Sequence, residues 1–185
     1  MKGAFLMCEE KWPAWETAGL FAVLIAGNLL HFAYGWSGGS PAAAMIAAVN
    51  ESTWEHMKLL AMPWLLWTLV EILALGKRGG ELLMPRTLGM LAGLAAIPLL
   101  FYTYRGVTGQ VNHVVNITIF QVAVLLAFGI TRKLARGGNF GGKQWRILGL
   151  FVLLAVGALF VRWTFHPPML PLFADPGTGL TGIPK

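Results

Sequence analysis

Residues 49–58, VNESTWEHMK, place four ionisable side chains at the start of an apolar stretch. Charge at the head of a membrane segment is costly, so it usually serves a function. On a helix, Glu51, Glu55 and Lys58 project from one face, and His56 points about 100° away from Glu55. A carboxylate beside an imidazole offers lone pairs near neutral pH, as a metal site or a proton-transfer pair requires. The string therefore predicts a polar site, although its spacing differs from the H-E-x-x-H zinc signature.

The same string is also typical of a helix-capping box. Ser52 can cap the helix start while the Glu55 side chain returns to the Ser52 amide, and Glu55 can pair with Lys58 at i, i+3. Capping accounts for Glu55. Capping does not explain why Glu51, His56 and Lys58 occur at the start of a membrane helix. Glu51 and Glu55 are both candidate catalytic residues, as the general base of a metal-dependent reaction.

Four histidines fall at equivalent ends of the apolar stretches. His31 closes the first, His56 opens the second, His113 opens the fourth and His166 follows the fifth. Interfacial histidines are common without a ligand, so the coincidence of all four carries more weight than any one of them. We predict that His31, His56 and His113 are the ligands of a divalent metal such as zinc.

Further polar side chains at this level could complete a pocket. Tyr104 and Arg105 end the third stretch and Asn112 opens the fourth, although each also suits an ordinary interfacial anchor or helix cap. Asn116 lies deeper, where a buried amide needs a partner. Together with Lys58 these residues are expected to be supporting polar groups, and we identify no cofactor-binding motif.

Composition identifies the class of protein. The chain has 185 residues, of which 56% are hydrophobic and 12% charged, and its mean hydropathy is +0.64. One small water-soluble core cannot hide that much apolar surface, so the chain is predicted to be an integral membrane protein. Its net charge of +6 comes from short loops where basic residues act as topology signals, which argues against nucleic-acid binding.

Five apolar stretches are long enough, or nearly so, to cross a bilayer as helices. They are residues 15–34, 54–75, 87–104, 111–130 and 145–163. Pro63 and Pro98 should kink the second and third of them. We therefore predict an all-α membrane protein, a bundle of five transmembrane helices that forms a single domain over residues 1–185.

Basic residues are unevenly distributed between the two sets of loops. One set carries Lys77, Arg78, Arg86, Arg132, Lys133, Arg136, Lys143 and Arg146, and the other carries only Arg105. The positive-inside rule then places the amino terminus in the cytoplasm and the carboxyl terminus outside. Glu71 falls near the cytoplasmic end and is expected to pair with Lys77 or Arg78.

Two shorter segments should lie at the outer face. Residues 42–49 are small and too few to span, and they favour a short re-entrant or interfacial helix that begins at Pro41 with Ser40 as its cap. The tail, residues 164–185, is apolar but broken by prolines, so it cannot form a sixth span. It is predicted to be a lid over the outer site or a terminal interfacial anchor.

The string at residues 49–58 and the tail pattern PPxxPLFxDP at residues 167–176 resemble those of an uncharacterised bacterial family of small polytopic membrane proteins, a domain of unknown function. The resemblance implies a multi-pass protein of the bacterial cytoplasmic membrane. It supplies no activity, substrate or cofactor. Thr181 stands where the family pattern leads us to expect an aromatic residue.

Three functions remain compatible with this pattern. The first is a metal-dependent hydrolase or transferase that acts on a lipid or lipid-linked substrate at the outer leaflet. The second is a small proton- or cation-coupled transporter or channel, against which the mostly apolar helices count. The third is a haem-binding or structural membrane subunit, although the sequence contains no haem motif.

Membrane lipids are the expected partners. Gly89 and Gly93 form a small-xxx-small pair that could pack the third helix against a neighbour in the same chain or against a second copy. The glycine pair is therefore compatible either with packing inside one chain or with a homo-oligomer.

Overall fold

The computed structural model describes the backbone of residues 2–184 and the side chains of residues 12–184. Within that range the chain forms six α-helices and a 3₁₀ turn at Pro171–Phe173. The helices are α1 (Lys2–Trp36), α2 (Pro41–Ala44), α3 (Thr53–Leu75), α4 (Lys77–Thr108), α5 (His113–Arg136) and α6 (Lys143–Phe165). Residues 12–36 of α1, together with α3, α4, α5 and α6, are long and apolar enough to cross a membrane. These helices confirm the predicted all-α fold with five helices of spanning length.

Consecutive long helices run antiparallel, so their ends gather at the two ends of the bundle. Gly27 of α1 packs against Leu59 of α3, and Gly19 packs against Trp67. We call one end of the bundle the histidine end; it is formed by Trp36, Thr53, Thr108, His113 and Phe165. We call the opposite end the arginine end; it is formed by Leu75, Lys77, Arg136 and Lys143.

Helix α4 begins earlier than the sequence indicates, at Lys77 instead of residue 87. The connection from α3 is the single residue Gly76, whose φ of +54° favours glycine and permits an abrupt reversal. The basic residues after Gly76 are therefore helical. Arg86 lies inside the bundle and is fully buried, so it is not a loop residue.

This earlier start changes the partner of Glu71. The expected pairing with Lys77 or Arg78 is wrong, since Glu71 Oε2 lies 2.7 Å from Arg86 Nη1. Arg78 pairs instead with Glu81, at 3.3 Å. Because α4 is helical from Lys77 onward, Arg86 lies inside the bundle at the same depth as Glu71 of α3.

Helix α4 contacts α5 closely at Gly89 and Gly93. A Cβ atom at Gly89 would collide with the Ala127 carbonyl oxygen and the Thr131 hydroxyl, and one at Gly93 would press on the Ala123 carbonyl oxygen. The Gly89 and Gly93 pair thus serves packing within the chain.

Two segments outside the long helices lie against the histidine end. Helix α2 is a single turn that begins at Pro41, but Ser40 makes no side-chain capping bond. In the tail, the Phe173 ring is buried against Trp54 and Trp163, with centroids 4.8 and 5.6 Å away. Both segments therefore pack against the first turn of α3 or its immediate neighbours.

Candidate metal centre

Three predicted site residues converge at the histidine end. His31 comes from the last turns of α1, His56 from the first turn of α3, and Glu51 from the connection before α3. The Glu51 Oε2 atom lies 3.6 Å from His31 Nε2 and 3.6 Å from His56 Nε2. One ligand atom from each residue lies within 4.8 Å of the other two. The two imidazole rings meet edge to face with centroids 5.2 Å apart, which leaves no space for a porphyrin between them.

The start of α3 fixes the orientation of His56. The Ser52 hydroxyl accepts a hydrogen bond from the Glu55 amide at 3.3 Å, as a helix cap does. The Ser52 carbonyl oxygen lies 2.9 Å from His56 Nδ1. Because a carbonyl only accepts, this contact places the proton on Nδ1 and leaves the Nε2 lone pair free to face Glu51.

Glu51 is positioned by the tail. Its backbone amide donates to Asp175 Oδ2 at 3.1 Å, and the neighbouring Asn50 side chain donates to the Gly182 carbonyl oxygen at 2.8 Å. The adjacent His31 imidazole lowers the pKa of Glu51 below its ordinary value, against burial, which raises it. The nearby His56 and His113 lower that pKa further. Glu51 is therefore ionised at neutral pH and can act as a ligand.

Glu55 belongs to a separate, fully buried ion pair with Lys58, at 2.5 Å. Glu55 Oε2 also accepts from the Val49 amide, and Lys58 Nζ donates to the Ala44 carbonyl oxygen and to Thr164 Oγ1, each at 2.8 Å. These contacts tie α2, α3 and α6 together behind the histidines. The second half of the capping box does not form, because the Ser52 amide donates to Asn50 instead.

A cavity of about 350 Å³ opens beside the three-residue cluster, between α1, α3 and α5. Its walls are mainly apolar, with the polar groups gathered near Glu51. The lining residues are Gly27, Asn28, His31, Phe32, Glu51, His56, Leu59, His113, Asn116, Ile117 and Phe120. A bound molecule could thus place an apolar part against the walls and a polar part at the cluster.

The other predicted residues divide between the cavity and its surroundings. His113 and Asn116 line the cavity, and Asn116 Oδ1 is buried without a hydrogen-bond partner among the described residues. Asn112 caps α5, since its side chain accepts from the Val114 amide at 2.8 Å. Tyr104 and Arg105 end α4 outside the cavity lining.

Two residues of the site were missed from sequence. Asn28 lines the cavity, and its position one helical turn before His31 was a signal that could have identified it. Asp175 holds the Glu51 amide across 124 positions of sequence. A local sequence pattern cannot predict a contact between residues so far apart in the chain.

A family model described as a family of unknown function (DUF6512) matches residues 3–183. The match agrees with the resemblance to a family without an assigned function. Neither a curated protein nor a solved structure matches the chain.

Proposed function

The chain belongs to DUF6512, a family of unknown function, and we propose that it is a metal-dependent hydrolase or transferase of the bacterial cytoplasmic membrane. Its substrate is a lipid or a lipid-linked molecule. The metal ligands are His31, Glu51 and His56. The histidine end faces the outside.

The spacing of the three ligand atoms is the observation that supports this proposal most directly. At 3.6 Å, each histidine nitrogen is too far from Glu51 Oε2 for an ordinary hydrogen bond. That separation is close to the edge of a tetrahedron of zinc ligands, about 3.3–3.4 Å for bonds of about 2.0–2.1 Å. The three ligand atoms all lie within 4.8 Å of one another, so an inward shift of the side chains would bring them to three positions of a tetrahedral site.

The surroundings of the cluster resemble those of catalytic metal sites. Such sites combine three protein ligands with an open fourth position, and the cavity lies on the open side of this cluster. A ligating histidine usually donates its second nitrogen to a carbonyl or carboxylate, as His56 Nδ1 does to the Ser52 carbonyl oxygen. A divalent ion held there would act as a Lewis acid and activate water.

The roles of the chain's own residues follow from their positions. Glu51 serves as a ligand, whereas Glu55 is held by Lys58 and serves the fold. His113 lines the cavity near Glu51 and is the group best placed to transfer a proton. Asn116 lines the same cavity and is the amide placed to bind a polar group of the substrate.

A lipid substrate is supported by the position and lining of the cavity. Phe32 and Ile117 line it, and they are 57% and 51% exposed on helices of membrane-spanning length. An acyl chain could therefore enter from the bilayer side while its polar head meets the histidines. The outward orientation rests on Arg132, Lys133 and Arg136, which lie at the arginine end.

The apolar core favours an enzyme over a cation pathway. On α3, the residues that follow the histidine end include Leu59, Leu60, Ala61 and Met62, all buried. Among the described side chains, this layer offers no ionisable group between Lys58 and Glu71 on α3. A permeating cation would have to cross it without ligands.

The proposal is tested with purified protein in vesicles made from bacterial membrane lipids, with zinc added or removed by a chelator. Mass spectrometry of the lipids should show zinc-dependent cleavage or transfer of a head group or acyl chain. His56→Ala should lose at least about 99% of that activity, since removing a ligand costs more than the 10–100-fold loss expected of its supporting partners. His166→Ala is the matched control, because His166 is exposed and does not line the cavity. If the protein binds zinc but the lipids remain unchanged, the proposed enzymatic function is wrong.

A further inference from the structure

A second group of ionisable side chains is buried near the arginine end. Arg86 of α4 lies between Glu16 of α1 and Glu71 of α3, and its Nη1 atom is 2.8 Å from Glu16 Oε1 and 2.7 Å from Glu71 Oε2. Arg86 Nε donates to Thr68 Oγ1 at 2.8 Å. Its guanidinium stacks on the Trp64 ring, 4.5 Å from the centroid. The three ionisable residues are fully buried and lie far from the cavity lining.

The negative charges exceed the positive charges in this group. The next cation is Arg132 of α5, whose Nε atom lies 4.0 Å from Glu16 Oε2. Its side chain is 34% exposed although its Nε atom is buried, and its Nη2 atom donates to the Thr17 hydroxyl, so it neutralises Glu16 only in part. Helix α6 has no ionisable residue between Arg146 and Arg162. The buried group thus holds two carboxyl groups against one buried guanidinium.

The two carboxyl groups are bonded differently. Glu16 Oε1 accepts a hydrogen bond from Arg86, and Glu16 is also the carboxylate nearer Arg132. Glu71 contacts Arg86 Nη1, yet neither of its oxygens has a hydrogen-bond partner among the described residues. A buried carboxylate whose oxygens accept no aligned hydrogen bond is poorly stabilised, whereas a protonated one is neutral and becomes a donor itself.

We infer that Glu16 and Glu71 form a proton-binding site, separate from the metal centre, in which the two carboxyl groups hold one exchangeable proton. Both groups contact the same nitrogen of Arg86, and two carboxyl groups held around one buried guanidinium favour the uptake of one proton, as in other carboxyl pairs that share a proton. Arg86 stays charged. The bound proton resides mainly on Glu71, and the part-exposed Arg132 marks the route by which it exchanges with solvent at the arginine end.

Infrared difference spectroscopy of the full chain in lipid nanodiscs tests this inference. At neutral pH, wild type should show the carbonyl stretch of one protonated carboxylic acid, and deuterium oxide should shift it. Glu71→Gln should abolish the band. Glu16→Gln should also abolish it, because Glu71 alone with Arg86 is balanced and ionises. Glu81→Gln is the matched control: Glu81 is a partly exposed carboxylate at the same end, paired with Arg78 and Arg146, and its removal should leave the band intact.

If wild type shows no protonated carboxyl band, the inference is wrong, whatever the variants show. A band that survives in either Glu71→Gln or Glu16→Gln also overturns it. The readout does not involve zinc or lipid turnover, so its outcome is independent of the proposed enzymatic function.

Discussion

Asp175 determines how firmly Glu51 is held at the candidate metal centre. Its Oδ2 atom accepts from the Glu51 amide at 3.1 Å, and its Oδ1 atom accepts from the amides of Gly177 and Thr178 at 2.8 and 3.0 Å. Burial raises the pKa of Asp175, but these hydrogen bonds outweigh it, so the pKa lies below its ordinary value. Asp175 thus joins the tail to Glu51 and positions it.

Asp175→Asn should loosen the tail and weaken metal binding about 10–100-fold, the usual cost of losing a group that supports a ligand. In wild type the contribution of Asp175 to stability should be complete above its ordinary pKa of about 3.9. It should be lost as pH falls through the lowered pKa of the folded state. The hydrogen-exchange protection factors of residues 166–184 should therefore fall in acid for wild type and be low throughout for the variant. Met169→Ala, at a residue 90% exposed, is the control. Equal protection in both proteins would contradict this role.

Some residues of the candidate site could be predicted from the sequence and others could not. His31, Glu51 and His56 could be predicted to lie at one end of the bundle because each falls where a helix begins or ends. His166 lies at the same end but outside the cavity lining, so the level alone does not decide which side chains meet. Glu55 stayed ambiguous, because a cap, an ion pair and a general base all require the same side chain. Its contact with the Val49 amide depends on how the connection folds back, which the local pattern does not specify.

Helix α4 packs against most of the other long helices in the bundle. It contacts α3, α5 and α6, and its glycines allow α5 to approach closely. The lengths of the apolar stretches predicted five spanning helices, because hydrophobic length alone decides that property. The start of α4 could not be predicted, since Lys77 and Arg78 are typical of a loop and Arg86 becomes favourable in the interior only once Glu16 and Glu71 surround it.

Gly89→Ala should destabilise the protein by about 1–3 kcal/mol, the cost of overpacking a close contact. The new methyl group would meet backbone of α5, which cannot rotate away. Gly106→Ala is the matched control, because a Cβ atom there meets nothing within 4 Å and alanine favours the helix. Thermal unfolding in one detergent compares the two. A melting temperature that falls equally in both variants would show that the α4–α5 contact is not the cause.

The candidate metal centre and the buried Arg86 cluster lie toward opposite ends of one apolar bundle. The cluster of His31, Glu51 and His56 opens to a cavity, whereas Arg86 and its two carboxyl partners are closed. Buried apolar side chains such as Leu60, Trp64 and Phe160 fill the interior. We therefore propose separate roles for the two ends, with metal chemistry at the histidine end and proton binding at the arginine end.

Metal content of the purified protein tests the central claim most directly. After equilibration with zinc and removal of excess, elemental analysis should find one zinc ion per chain in wild type and in His166→Ala. His31→Ala, Glu51→Ala and His56→Ala should each retain almost none, while circular dichroism shows the same helical content as wild type. Wild-type protein that is folded but holds no stoichiometric zinc or other divalent metal, or variants that bind as tightly as wild type, would contradict the account.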